Sequence, residues 1–123
     1  MVVDDEPGIR FILRKMLEGA GYKVLESESG EECLDILDKE KVDLVLMDVM
    51  MPGMNGWETT KRIRENEALK ITKVIMLTVR ADEEDMEKSF QYAGSNGHIN
   101  KPIVMEQLLA TVKWVLDNVR VEG

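Results

Sequence analysis

Apolar runs and amphipathic stretches alternate along the chain from end to end. "MVVD" opens as a short strand whose start reads as cut, with further residues expected upstream of Met1. Pro7 suits a first helical position, where its fixed φ fits and its missing N–H goes unused. After it, Ile9, Ile12, Leu13, Met16, Leu17 and Ala20 recur at helical spacing, and Gly21 ends the run. "YKVLES" reads as a second strand, and Ser29 can cap a second helix carrying Cys33, Leu34 and Leu37. "VDLVLM" has no polar alternation, as expected of a parallel strand covered on both faces. A third helix is expected from Gly56 to near Asn66, followed by "KVIMLT", a fourth strand of the same buried type. Asp82 opens a fourth helix with Met86, Phe90 and Ala93 on one face, and "NGHIN" is a short fifth strand. Leu108, Leu109, Val112, Val115, Leu116 and Val119 mark a fifth helix. Strands alternating with helices in this way predict a doubly wound, five-stranded parallel α/β sheet with right-handed crossovers and five flanking helices.

Composition narrows the field. A chain of 123 residues, 44% hydrophobic and 33% charged, is expected to form one domain over residues 1–123 with a core of its own. Its net charge of -8 argues against direct nucleic-acid binding, which needs clustered Lys and Arg. No apolar run reaches the ~20 residues of a membrane span. The one cysteine, Cys33, has no partner for an internal disulfide, so a reducing cytoplasm is the expected location. Cys33 itself reads as a small apolar residue on a helix.

The strand ends carry the chemistry. In "LVLMDVMMPGMNGWE" a lone carboxylate, Asp48, closes an apolar strand, and a buried ionised group is costly without partners. Strand one ends in Asp4-Asp5, strand four in Thr78, and strand five runs into Lys101. In a parallel sheet all carboxyl ends share one edge, and ligands bind there, where the strand order reverses. Three carboxylates, a hydroxyl and an ammonium are therefore expected in one crevice. Clustered carboxylates repel, which raises their pKa values or recruits a divalent ion. Oxygen donors in an open crevice suit Mg2+. With Lys and Thr beside them to grip phosphate oxygens, the chemistry indicated is phosphoryl transfer to a carboxylate. The methionines at 47, 50, 51 and 54 are soft donors that suit copper rather than an oxygen site, and they read as packing.

"VVDDEP", "LVLMDVMMPGMNGWE", "VIMLT" and "NKPI", in that order and spacing, resemble the receiver domain of bacterial and archaeal two-component response regulators. The resemblance covers essentially the whole chain. It implies the flavodoxin-like strand order 2-1-3-4-5 and a phosphorylation-activated switch. Asp48 is implied as the acceptor of a phosphoryl group from a sensor histidine kinase or phosphotransfer protein. Asp5 is implied as a direct Mg2+ ligand, Asp4 as one mainly through water, and Asp48 and the backbone carbonyl of Met50 as the rest. Lys101 and Thr78 are implied to hold phosphoryl oxygens, and Pro102 to follow a cis peptide bond. His98 stands three residues before the lysine, where the family usually has the Tyr or Phe that turns inward with the threonine. Ile103, Val79 and Met50 also depart from the family's usual Phe, small and polar residues.

Other functions fit less well. An aspartyl-nucleophile phosphatase of the haloacid dehalogenase type needs a second Asp two residues on, where Met50 stands. A flavodoxin-type nucleotide module needs a phosphate loop after strand one, but "DDEPG" is acidic and repels phosphate. A receiver-like docking module that takes no phosphate has no use for Asp4, Asp5, Asp48, Thr78 and Lys101 together. The reading is a switch that gains and sheds its own phosphoryl group, not a turnover enzyme.

Overall fold

A computed structural model describes residues 1–79 and 94–118. The elements are β1 (Val2–Val3), α1 (Pro7–Gly19), β2 (Glu26–Ser27), α2 (Gly30–Lys39), β3 (Leu44–Asp48), α3 (Gly56–Glu65), β4 (Lys73–Thr78), β5 (Gly97–Asn100) and α4 (Met105–Asn118). The strands form one parallel sheet in the order β2-β1-β3-β4-β5. The chain thus runs outward from β1 to one edge, returns past it and continues to the other. That reversal leaves a crevice at the carboxyl ends of β1 and β3.

The expected count of five flanking helices is corrected to four among the described residues. The helix expected from Asp82, with Met86, Phe90 and Ala93, lies outside the described residues, as does Val119. The second strand also needs correction, because only Glu26–Ser27 of "YKVLES" is strand. A ladder is no longer than its shorter member, and β1 offers Val2 to Glu26 and Val3 to Ser27 alone.

The helix ends follow local chemistry. Ser29 Oγ accepts the Glu32 N–H at 3.1 Å to start α2, and Asn55 Oδ1 accepts the Glu58 N–H at 2.9 Å to start α3. α1 begins at Pro7 with no side-chain cap and stops where Gly21, at φ +93°, turns the chain away.

Strand alternation divides the core in two. Val2, Leu46, Ile75, Leu77 and Ile99 face Leu13 and Leu17 of α1 and Leu108, Val112 and Val115 of α4. Val3, Val45, Met47, Val74 and Met76 face Cys33 and Leu37 of α2 and Ile63 of α3, with Trp57 packed at the margin. Both faces of β3 and β4 are therefore covered, which is why neither strand shows polar alternation. The same alternation aims the site: Asp4 continues the row of Val2, Asp48 that of Leu46, and Lys101 that of Ile99.

Candidate functional site

At the carboxyl edge one carboxylate oxygen each from Asp4, Asp5 and Asp48 lies within 4.8 Å of the others. Asp4 and Asp48 are buried at 0% and 5% exposure, whereas Asp5 opens to solvent. Lys101 Nζ bridges the two buried ones, donating to Asp4 Oδ2 at 3.1 Å and Asp48 Oδ1 at 3.2 Å. Lys101 reaches them from beyond β5, where its N–H donates to the Thr78 carbonyl at 2.8 Å and a cis bond joins it to Pro102. Four of the residues expected at one site, Asp4, Asp5, Asp48 and Lys101, are thus brought together.

Charge is imperfectly balanced there. Burial, and then the neighbouring Asp4 carboxylate, push the Asp48 pKa up from 3.8 to about 6, while Lys101 and the Met50 amide pull it back. Burial works to lower the Lys101 pKa, but its contacts with Asp4 and Asp48 outweigh this, and the net direction is upward. Lys101 stays cationic. One ammonium facing three carboxylates leaves room for a second cation. The donor set is all oxygen, open on the Asp5 side, and fits a hard divalent ion better than a soft one.

The loop after Asp48 is held close. The Gly56 N–H donates to the Val49 carbonyl at 3.0 Å, and a Cβ at Gly56 would overlap the main-chain carbonyl of Asp48. The glycine that closes the D-x-x-M-P-x-x-x-G pattern is required by that approach. Gly53, at φ +74°, supplies the turn within the loop. Against its far side, a Cβ at Gly30 would overlap the Thr59 hydroxyl, so α2 also packs close to this loop and α3.

The remaining expected residues sit around the cluster. Met50 lies two residues after Asp48, with its side chain turned to solvent, and Val79 is likewise exposed. Thr78 ends β4 in register with Asn100 and half-buried, one step beyond Leu77, the neighbour of Asp48. His98 pairs in register with Met76, so strand alternation sets it on the opposite side of β5 from Ile99. It is outside the carboxylate cluster. Two arginines that the sequence did not single out also matter. Arg10 Nη1 donates to the Asp4 carbonyl at 2.6 Å, and Arg64 ties α3 to the entries of β4 and β5. In sequence each looks like one more charge on a solvated helix face; six residues' distance from Asp4 was the one cue for Arg10.

Comparison with known proteins gives one consistent result. The family model described as the response regulator receiver domain matches residues 1–113. The transcriptional regulatory protein ResD of Bacillus subtilis is 39% identical over 116 residues, covering 94% of this chain and 47% of ResD. The chain thus spans about half of that relative. Protein PilH of Pseudomonas aeruginosa is 34% identical over 116 residues, and there the match covers 94% of this chain and 95% of PilH. Among solved structures, the receiver domain of the sensor histidine kinase PA1611 from Pseudomonas aeruginosa has a magnesium ion coordinated in its active-site cleft. It superposes with a TM-score of 0.86 at 27% identity, over 95% of each chain. Among the described residues no helix is long and apolar enough to cross a membrane.

Proposed function

The chain belongs to the response regulator receiver domain family, and from that membership we propose that Asp48 is the side chain that carries its phosphoryl group. Receivers are signalling switches rather than turnover enzymes, and residues 1–123 serve here as one such unit. The observation that carries the reading is the Lys101 ammonium lying 3.2 Å from Asp48, inside a group of three carboxylates at the crevice of the sheet.

In its ionised form Asp48 is the nucleophile. One of its oxygens bonds to phosphorus while the P–N bond of a phosphohistidine on a kinase or phosphotransfer partner breaks. The imidazole leaves with the electron pair. Lys101 then exchanges part of its hold on Asp48 for a phosphoryl oxygen, and Thr78 takes another, drawing the end of β4 inward. His98, half-buried on β5, occupies the position that follows such a movement. Asp5, the carboxylate open to solvent, and Asp48 would hold Mg2+ directly with the Met50 carbonyl, while the fully buried Asp4, its two side-chain oxygens already accepting Lys101 and the Glu6 N–H, would act through water. Mg2+ bound there would neutralise charge on the transferring phosphoryl oxygens. The magnesium in the PA1611 cleft supports this choice of ion.

With Mg2+ and acetyl phosphate, the protein is expected to gain one acid-stable, base-labile phosphoryl group, and Asp48→Asn to gain none. Intact-mass measurement reads this directly. Labelling that persists in Asp48→Asn overturns the assignment.

A further inference from the structure

All four polar groups of Asp4 are engaged within the protein. Its N–H donates to the Ser27 carbonyl at 3.1 Å, Oδ1 accepts the Glu6 N–H at 2.9 Å, and Oδ2 accepts Lys101 at 3.1 Å. The fourth group, the main-chain carbonyl, lies past the end of β1. The Ser29 N–H, further along the neighbouring chain, turns to Ser27 Oγ at 3.4 Å. A buried carbonyl needs a donor, and Arg10 supplies it from the first turns of α1 at 2.6 Å. The guanidinium is itself gripped from behind. Arg10 Nε lies 3.4 Å from Glu26 Oε1, Glu26 also takes Arg14 at 3.0 Å, and the Arg10 side chain is only 15% exposed.

We propose that Arg10 is a positioning residue for the metal-binding carboxylates. By tying the Asp4 carbonyl to α1 and, through Glu26, to β2, it sets the turn from which Asp4 and Asp5 face Asp48. The inference rests on the reading of that cluster as the Mg2+ site. Three carboxylates this close repel, and in the metal-free protein the easiest relief is a rotation of the short Asp4–Glu6 turn away from β3. Arg10 opposes that rotation through the backbone and touches no carboxylate of the cluster. Its charge has the contrary effect, since a cation nearby weakens the pull on Mg2+. Positioning outweighs charge here, because Glu26 and Glu18 together offset the charges of Arg10 and Arg14, and the hydrogen bond acts on the ligands' own backbone.

Calorimetric titration of the full chain with Mg2+, wild type against Arg10→Lys and Arg10→Gln, separates the effects. Positioning requires both variants to bind about tenfold more weakly, since neither reproduces the forked grip. If charge alone mattered, Arg10→Lys would bind as wild type and Arg10→Gln more tightly, and that result overturns the inference. So does a lowered melting temperature in EDTA with unchanged Mg2+ affinity, the mark of a purely structural residue. Hydrogen exchange of wild type covers the case in which a variant does not fold. The Glu6 amide should be protected without metal, and protection that arises only with Mg2+ rejects a turn preset by Arg10. A wild type with no saturable Mg2+ binding instead overturns the metal-site reading itself.

Discussion

Asp48 is ionised at neutral pH at a cost to the metal-free fold. Its pKa is about 6 in the folded protein against 3.8 ordinarily, because it is buried and faces Asp4. Well below pH ~4 the group is protonated in both folded and unfolded chains and costs nothing. As pH rises from ~4 to ~6 the unfolded chain releases its proton first, so stability falls, and above that window the deficit is constant. Asp48→Asn in EDTA should therefore be more stable than wild type at pH 7 by about 1–2 kcal/mol, after allowance for screening by solvent and Lys101. The gain should be only a small fraction of this near pH ~4 and vanish toward pH ~3. Urea denaturation at the highest and lowest of these pH values checks this, and an equal gain at both would place its origin elsewhere. Cys33 shows the neutral counterpart: burial pushes its thiol up to about 12, so it remains an uncharged packing group.

At the scale of elements, a joint at the amino edge of the sheet, opposite the site, fixes the strands that carry site residues to their carboxyl ends. Arg64, near the end of α3, donates to the Gly94 carbonyl at 2.8 Å, the Lys70 carbonyl at 3.1 Å, the Thr72 carbonyl, and Asn96 Oδ1 at 2.8 Å. Asn96 Oδ1 in turn accepts the Val74 N–H at 2.7 Å. One planar fork thus fixes the start of β4 and the approach to β5, the strand that delivers Lys101. Burial lowers the Arg64 pKa only from a very high ordinary value, so the charge persists. Arg64→Ala strands several carbonyls and should cost about 3 kcal/mol in urea denaturation. Arg64→Lys should recover only part of that, since an ammonium cannot span the same acceptors. A loss under about 1 kcal/mol for Arg64→Ala would show that water replaces the fork.

Over the whole molecule, the acidic cluster makes stability a function of cation concentration. A ligand that binds only the folded state stabilises it by mass action. Mg2+ at a hundredfold excess over its dissociation constant should add about 2.7 kcal/mol. Asp5→Asn removes one repelling charge and one open ligand, so it should melt higher than wild type in EDTA and respond less to Mg2+. Thermal melts with and without the ion test both expectations, and an undiminished Mg2+ response in Asp5→Asn rejects the role of Asp5. The net charge of -8 works in the same direction, since an acidic surface attracts divalent cations to the crevice.

Much of this was legible in the chain itself, for local reasons. Continuous apolar runs in "LVLMD" and "KVIMLT" already require strands covered on both faces, and the parallel sheet follows. Asp4, Asp5, Asp48 and Lys101 were readable as one site because strand ends of a parallel sheet share an edge whatever the details of packing. Other features arise only when distant segments meet. β2 shrank to Glu26–Ser27 because ladder length belongs to the pair, and β1 is short. The reason for Gly56 is the carbonyl of Asp48, and the role of Arg64 is set by carbonyls that the fold carries to it from positions up to Gly94. Arg10 matters because a strand ends one residue before Asp4 and leaves its carbonyl in need of a donor. Periodicity and strand-end chemistry are properties of single segments and survive in the sequence. Close approach and hydrogen-bond demand are properties of pairs, and only the folded chain assigns the partners.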